Sequence, residues 1–231
     1  MLKKCILLIA AFVISCLVGI TPASAILIDF ETYPDGTLTS HLDQVNTQFS
    51  SWGISQIWSE DDYGNMVDAV IRQDANLGLY YASGGSALAP WVGDDTYYGG
   101  AQAPIAVSFA TPIYYFSVYA MDVGWNGLKA EAYGTDASLI SSVSIDGTGR
   151  GHDGPVGQPD WLDFIEFSFP GISEIRFSQI HDPNWDVANN LGLEGYLLDD
   201  VTFDPVPEPA TILLMTSGLV GLVGFRRKLR N

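Results

Sequence analysis

Eight short runs rich in β-branched and aromatic residues place the strongest constraint on the fold of this chain. Most are bounded by glycine, proline, asparagine or aspartate, which is typical of strands joined by tight turns. No run requires a helix, although residues 41–45 could form a helical turn. The runs are 26–30, 105–110, 113–121, 128–133, 139–145, 164–169, 172–180 and 196–203, and the predicted turns are 110–112, 124–127, 134–136, 170–171 and 182–184. This pattern predicts an all-β fold, an antiparallel two-sheet sandwich.

The first 25 residues have the layout of a secretory signal peptide. Two lysines form a positive n-region ahead of the apolar residues 5–20, and Ala23 and Ala25 provide the small residues that signal peptidase requires at its cleavage site. The sequence therefore predicts export, with residues 1–25 forming a signal helix that is removed.

The last 25 residues form a second membrane-directed segment. Two prolines interrupt secondary structure, an apolar stretch follows, and positive charge ends the chain. The apolar stretch, residues 210–225, is short for a membrane span, which needs about 20 residues, but it could cross a thin membrane with its basic side chains on the cytoplasmic side. We therefore expect a C-terminal helix that anchors the exported body in the inner membrane. The flanking residues are Pro207, Glu208, Pro209, Arg226, Arg227 and Lys228.

The order of these C-terminal elements resembles the PEP-CTERM sorting signal of Gram-negative bacteria. The resemblance covers residues 206–228. It implies that an exosortase, a membrane transpeptidase-like enzyme, cuts near residues 207–209, so that the membrane anchor is transient. It also implies a location in the cell envelope, at the cell surface or in the extracellular matrix, and an association with exopolysaccharide and biofilm. An ordinary single-span anchor is the alternative.

Between the two signals, residues 26–206 are long enough for one domain with its own core. This body contains four Lys or Arg and 26 Asp or Glu residues, a net charge of −22. A surface this negative repels nucleic acid and anionic lipid, and it favours solubility or cation binding. Both cysteines, Cys5 and Cys16, lie in the signal peptide, so the body has no disulfide. Residues 13–16 loosely resemble a lipobox, which would instead make an acylated Cys16 the mature N-terminus.

Three strand runs, 112–118, 128–133 and 196–203, resemble the jelly-roll sandwich of carbohydrate-binding modules, which is also found in many exported PEP-CTERM proteins. In such modules, carboxylates at the end of the first strand and in the last strand commonly hold a structural calcium. The resemblance implies this role for Glu31 and Asp200.

Strand alternation singles out Asp199 among the acids of the last strand. It shares a face with Leu197, Val201 and Phe203, so we expect its side chain to point toward the core, where an acid must be paired, hydrogen-bonded or metal-bound. Carboxylates that converge between first and last strands repel each other unless a cation with about six to eight oxygen ligands lies between them. The predicted calcium ligands are Glu31, Asp199 and Asp200. The alternative is that these acids only accept hydrogen bonds from loop backbone.

Six tryptophans lie mostly in or beside predicted loops, where flat rings could stack on sugar faces. Trp91 and Trp125, each beside glycine and polar loop residues, are the predicted ligand-binding residues. The opposing interpretation is that at least half of the six close the ends of the sandwich, because tryptophan is largely buried on average.

The sequence contains no H-E-x-x-H zinc motif, no G-x-S-x-G elbow and no cysteine in the body. Because the body has so many acidic residues, some pair of them will always resemble the two catalytic carboxylates of a glycosidase. Such a pair is therefore not evidence of glycosidase activity. We therefore predict no catalytic residues and a noncatalytic surface or extracellular-matrix protein that could bind polysaccharide. A secreted glycan hydrolase or lyase on a jelly-roll scaffold is the alternative, and a structural envelope protein without a ligand is a third.

Overall fold

Most of the described part of the body is β-strand. The computed structural model describes residues 25–60, 64–73, 83–90, 103–121, 123, 127–145, 162–180 and 196–205. These ranges contain one 3-10 turn, Ser50–Trp52. The strands are β1 (Ile26–Ile28), β2 (Gln44–Val45), β3 (Ile54–Glu60), β4 (Met66–Val67), β5 (Ala69–Gln73), β6 (Ser86–Ala89), β7 (Ile105–Met121), β8 (Leu128–Gly134), β9 (Leu139–Ile145), β10 (Leu162–Gln179) and β11 (Leu197–Pro205).

All strand pairs are antiparallel, and the strands form two layers that share β7 and β10. The first part of β7, residues 105–109, pairs with β3 and with the last part of β10. Its last part, residues 113–121, pairs with β11 and with the first part of β10. The strand order is β4-β3-β7-β10-β8-β9 in one layer and β2-β5-β6-β11-β7-β10 in the other, with β1 also on β11. The predicted all-β, jelly-roll-like sandwich is confirmed.

The two shared strands each bend where the sequence predicts a turn. Residues 110–112 lie within β7 and residues 170–171 lie within β10, so the prediction of a chain reversal at these places is wrong. Pro112 has no N–H to donate to the ladder, and Gly171 has a φ of 88°, which favours glycine. The register between the two strands shifts here. The predicted runs on either side are therefore halves of one strand that passes from one layer to the other.

The stretch from residue 41 to 45 contains no helix. Leu42 has a φ of 64°, outside the right-handed helical region. Gln44–Val45 is β2 and pairs with β5. The helical turn considered for this stretch is therefore wrong, because the chain turns sharply at Leu42 and then joins the sheet.

A continuous hydrophobic core lies between the layers. Rings contact each other through it; for example, the ring centroids of Phe109 and Phe203 are 5.1 Å apart. Burial of each large apolar side chain contributes roughly 2 to 3 kcal/mol, which supplies stability to a body that has no disulfide. The buried phenylalanines are Phe30, Phe49, Phe109, Phe116, Phe167, Phe177 and Phe203.

Residues Ala25–Pro205 form one compact unit. Within the described ranges, no helix is long and apolar enough to span a membrane. The predicted signal peptide up to residue 24 and the predicted anchor from residue 207 lie outside those ranges. Their boundaries therefore stay predictions.

Candidate functional site

The outer edge of β11 is shared by two short strands. Strand β6 pairs with it at Leu198, and β1 pairs with it over residues 201–203. Asp199 and Asp200 lie between these two pairings. The segment after β1 and the segment before β6 therefore meet at the two aspartates. We call Glu31, residues 83–86, Asp199 and Asp200 the acid junction.

Strand β11 changes face at the two aspartates. Asp200 has a φ of 51°, and the register with β7 shifts between Asp199 and Thr202. This irregularity is a β-bulge, which inserts a residue and reverses the alternation beyond it. Asp199 is fully buried, but it lies on the face of β11 opposite to the core residue Leu198, so the prediction that it points toward the core is wrong. Leu197 shares the face of Asp199, as inferred, because the register with β7 is regular up to Asp199. The inference that Val201 and Phe203 share this face is wrong, because the bulge puts them on the opposite face, with the buried Leu198.

Ser83 binds both aspartates. Its backbone N–H donates to Asp199 Oδ2 over 3.1 Å, and its hydroxyl donates to Asp200 Oδ1 over 2.6 Å. The Asp200 N–H donates to Asp199 Oδ1 over 2.7 Å. Each oxygen of the buried Asp199 carboxyl therefore receives an N–H donor, which offsets part of the cost of removing it from water. These bonds fasten the turn before β6 to the bulge in β11.

Glu31 binds the same turn from the other side. Its Oε1 accepts the backbone N–H of Gly85 over 2.5 Å and that of Ser86 over 2.7 Å. Gly84 has a φ of 57°, and a Cβ on Gly84 would overlap the Glu31 carboxylate. The close approach of Glu31 to the turn therefore requires glycine at position 84.

A buried threonine fixes the segment that carries Glu31. The Thr39 hydroxyl donates to the Phe30 carbonyl over 2.6 Å, and the Thr39 N–H donates to the Glu31 carbonyl over 3.0 Å. Gln73 Nε2 donates to the Thr39 carbonyl over 3.0 Å and to the Ser86 hydroxyl over 2.9 Å. Hydrogen bonds thus connect the segment after β1 with β5 and β6, so that the Glu31 carboxylate has a defined position.

The acid junction fits the calcium prediction only in part. Glu31 Oε1 and both oxygens of Asp199 accept N–H hydrogen bonds, as in the alternative where the acids bind loop backbone. Calcium takes about six to eight oxygen ligands. Among the described residues, no three His, Cys, Asp or Glu side chains are placed to hold one metal ion. A structural calcium at Glu31, Asp199 and Asp200 therefore stays a prediction.

A groove lies beside the segment that follows β1. Its volume is about 410 Å³, and it is lined by Tyr33, Pro34, Asp35, Gln48 and Ser51. The turn after β1 supplies the first three residues, and the 3-10 turn with the residues before it supplies the other two. None of the five is a site residue predicted from the sequence, where the one local signal is the turn-forming Pro-Asp-Gly run.

Tyr33 is held in a fixed orientation at one wall of this groove. Its hydroxyl donates to Asp43 Oδ2 over 3.0 Å, and its ring centroid lies 5.7 Å from that of Phe49. The same Asp43 oxygen accepts the Ser40 N–H over 2.7 Å. Burial, together with the hydrogen bond to the Asp43 carboxylate, raises the pKa of Tyr33 to about 12. The phenol is therefore neutral at physiological pH and its ring has little freedom to turn.

The other predicted site residues lie outside the described residues, apart from Ala25, which is exposed just before β1. They are Ala23 of the signal-peptidase site, the predicted ligand-binding residues Trp91 and Trp125, and Pro207, Glu208, Pro209, Arg226, Arg227 and Lys228 of the tail.

Several solved structures are similar to this chain. The K2 cleaved adhesin domain of Lys-gingipain (Kgp) aligns over 78% of this chain and 99% of its own, with 12% identity and a TM-score of 0.45. TmCBM61, solved in complex with β-1,4-galactotriose, aligns over 68% and 93%, with 13% identity and a TM-score of 0.38. The C-terminal CBM6 of LamC, a laminarinase from Zobellia galactanivorans, aligns over 78% and 99%, with 10% identity and a TM-score of 0.35. At these values the similarities assign no function. No curated protein matches this chain in sequence.

The C-terminal segment matches a family model. Residues 205–228 match the PEP-CTERM protein-sorting motif. The match includes the Pro-Glu-Pro at 207–209 and the basic residues 226–228, so the resemblance seen in the sequence is confirmed. The match lies in the tail and begins at the last residue of β11. The chain thus carries the PEP-CTERM sorting signal of an exported protein that is sorted to the cell envelope.

Proposed function

We propose that this chain is a noncatalytic protein of the cell surface or extracellular matrix that binds glycan in the exopolysaccharide layer, as in a biofilm. The observation that carries the proposal is the sorting motif, which begins at Pro205, the last residue of β11. Strand β11 pairs with β1, β6 and β7 and so belongs to the centre of its layer. A cut near residues 207–209 would therefore remove the tail and leave every strand of the body in place.

Two enzymes process the chain in this proposal. Signal peptidase removes residues 1–25, and an exosortase cuts near the Pro-Glu-Pro. The inner membrane holds the chain only between these two steps, with the basic residues 226–228 on the cytoplasmic side. The processed body is then free to enter the layer outside the cell.

The negative charge of the body favours contact with polysaccharides over binding to nucleic acid. A net charge of −22 over residues 26–206 keeps the protein soluble and repels nucleic acid. Neutral sugars are not repelled. The same charge attracts cations, which agrees with the calcium prediction.

The outer face of one layer has side chains suited to sugar contact. Phe164 on β10 is half-exposed, and its ring centroid lies 5.2 Å from that of Tyr119 on β7. Glu166, two residues further along β10, is also exposed. Aromatic rings cover the apolar faces of sugars, and carboxylates accept hydrogen bonds from sugar hydroxyls. This surface supports glycan binding over a purely structural role.

Mass spectrometry of the protein recovered from the cell envelope tests the sorting half of the proposal. We expect a mass that lacks residues 1–25 and the segment after the Pro-Glu-Pro. A variant with Arg226, Arg227 and Lys228 all changed to Ala should keep its tail, whereas the control Lys129→Ala should be processed normally. Full-length protein in the cytosol would contradict the proposal.

Incubation of the recovered protein with neutral and acidic polysaccharides tests the other half. We expect binding without release of new reducing ends. Release of reducing ends that a single carboxylate substitution abolishes would instead establish a glycan hydrolase. Absence of binding to every polysaccharide would leave the sorting conclusion intact and remove the glycan proposal.

A further inference from the structure

We propose that the groove of Tyr33, Pro34, Asp35, Gln48 and Ser51 binds neutral sugar units of a glycan and disfavours uronic acids. This inference rests on the proposed glycan-binding function and assigns it a place and a ligand class. The volume of about 410 Å³ lies within the range of about 300 to 1,000 Å³ that is typical of small-ligand sites. The groove therefore has room for a sugar ring.

One wall of the groove is apolar and rigid. Tyr33 is fixed by its hydrogen bond to Asp43 and by its contact with the Phe49 ring, and Pro34 follows it directly. A sugar ring has an apolar C–H face that suits an aromatic ring of this kind. Because the Tyr33 side chain is already ordered, binding loses little rotamer entropy here.

The groove also presents polar groups that match sugar hydroxyls. Asp35 Oδ1 accepts the N–H of Thr37 over 2.9 Å and its hydroxyl over 2.7 Å, which orients the carboxylate and leaves Oδ2 as an acceptor. Gln48 is also oriented, because its Oε1 accepts the Asn46 N–H and its Nε2 donates to the Gln44 carbonyl. The second Nε2 hydrogen remains as a donor. The exposed Ser51 can both donate and accept.

The charge of the groove decides which sugars fit. Among the described residues that line the groove, the one charged side chain is Asp35, and the Asp43 carboxylate accepts the hydrogen bond of the Tyr33 hydroxyl. Within the described part of the chain, the lining has no Lys or Arg to pair with a sugar carboxylate. The carboxylate of a uronate would therefore be repelled by the Asp35 carboxylate, whereas the hydroxyls of a neutral sugar can donate hydrogen bonds to Asp35. The geometry favours hexoses or pentoses over uronic acids.

Affinity electrophoresis of the exported protein, as recovered from its cells, tests the inference. The probes are native gels that contain barley β-glucan, galactomannan or polygalacturonate. We expect one or both neutral polysaccharides to retard the protein and polygalacturonate to have no effect. Asp35→Asn and Gln48→Ala should each raise the dissociation constant about tenfold, as the loss of one hydrogen bond to a charged or oriented group does.

Asp136→Asn is the matched control. Asp136 Oδ1 accepts the N–H of Ser138 over 3.1 Å and its hydroxyl over 2.6 Å, so it forms the same kind of turn as Asp35 and the substitution changes the charge equally. Retardation should be unchanged in this variant, and near-ultraviolet circular dichroism should show all three variants folded.

The outcomes separate the two proposals. Retardation by a neutral gel that Asp35→Asn and Gln48→Ala leave unchanged would overturn the groove and leave glycan binding in place. Retardation by polygalacturonate alone would overturn the ligand class. If no polysaccharide retards the protein, glycan binding and the groove both fail.

Discussion

The Glu31 carboxylate lies against the backbone of Gly84, so closely that a Cβ at that position would overlap it. Gly84 also has a φ of 57°, where L-residues are strained. Gly84→Ala should therefore lower the free energy of unfolding by about 3 kcal/mol, from strain and a displaced Glu31. Urea unfolding measures this. Gly85→Ala is the control, because a Cβ there meets open space, and it should cost under about 1 kcal/mol. Equal losses in the two variants would contradict this account of the acid junction.

Calcium should stabilise the protein if the acid junction binds it. We expect the melting temperature to be about 5 °C or more higher in excess calcium chloride than in EDTA, because a ligand that binds only the folded state shifts unfolding by mass action. Magnesium should do less, since it prefers strict octahedral geometry and keeps its waters. Asp200→Asn should remove the response. Identical melting curves in calcium and EDTA would disprove the calcium prediction.

The Tyr196 hydroxyl joins three segments inside the core. It accepts the Ile105 N–H over 2.9 Å and lies 3.1 Å from the carbonyls of Ala103 and Phe177, to one of which it donates. Burial raises the pKa of this phenol well above its usual range. Tyr196→Phe should cost about 1 to 3 kcal/mol, because it leaves the Ile105 N–H buried without an acceptor. Tyr114→Phe, at a half-exposed position, should change the free energy of unfolding by less than about 0.5 kcal/mol. A Tyr196→Phe variant as stable as wild type would show that the Ile105 N–H finds another acceptor.

Three carboxyls should make stability depend on acid pH. The Thr37 hydroxyl lowers the pKa of Asp35, the Ser138 hydroxyl lowers that of Asp136, and the Lys129 ammonium lowers that of Glu131. Since each pKa is lower in the folded state, this stabilisation is complete above about pH 5 and is lost as pH falls through the folded values.

Acid also relieves repulsion among the many other carboxylates, which acts in the opposite direction. The measurement is therefore the difference in unfolding free energy between wild type and the triple variant Asp35→Asn, Asp136→Asn, Glu131→Gln, taken near neutral pH and again in acid. We expect wild type to lose more stability than the variant on acidification. Parallel pH profiles would show that these three groups do not contribute.

The sequence predicts the strands of this fold where apolar residues alternate cleanly. Strands β8 and β9 match their predicted runs to within one residue. It does not predict β6, because Ser86–Ala89 is four residues long, is buried throughout and contains no β-branched residue. The sequence also predicts turns at Pro112 and Gly171, because both residues commonly form turns. In this fold β7 and β10 continue through these positions and pass from one layer to the other.

The sequence predicts the acids of the acid junction, but it predicts neither the turn that binds them nor the groove. A carboxylate after the first strand and two in the last strand indicate that Glu31, Asp199 and Asp200 meet, and they do meet at one turn. The residues that bind them are Ser83 for the two aspartates and Gly85 and Ser86 for Glu31, and the only signal in their segment is the Gly84-Gly85 pair. The groove could not be predicted, because Tyr33 and Gln48 are brought together by packing around Phe49 and share no local pattern.

The pairing of β1 with β11 places Ile26 directly opposite Phe203. Partners across antiparallel strands have Cα atoms about 4.5 to 5.5 Å apart. The start of β1 and the end of β11 are therefore adjacent in the sandwich. The two cleavages that we propose would therefore occur at the same end of the body. A body held at that end by the proposed anchor would expose the rest of its surface to ligands outside the cell.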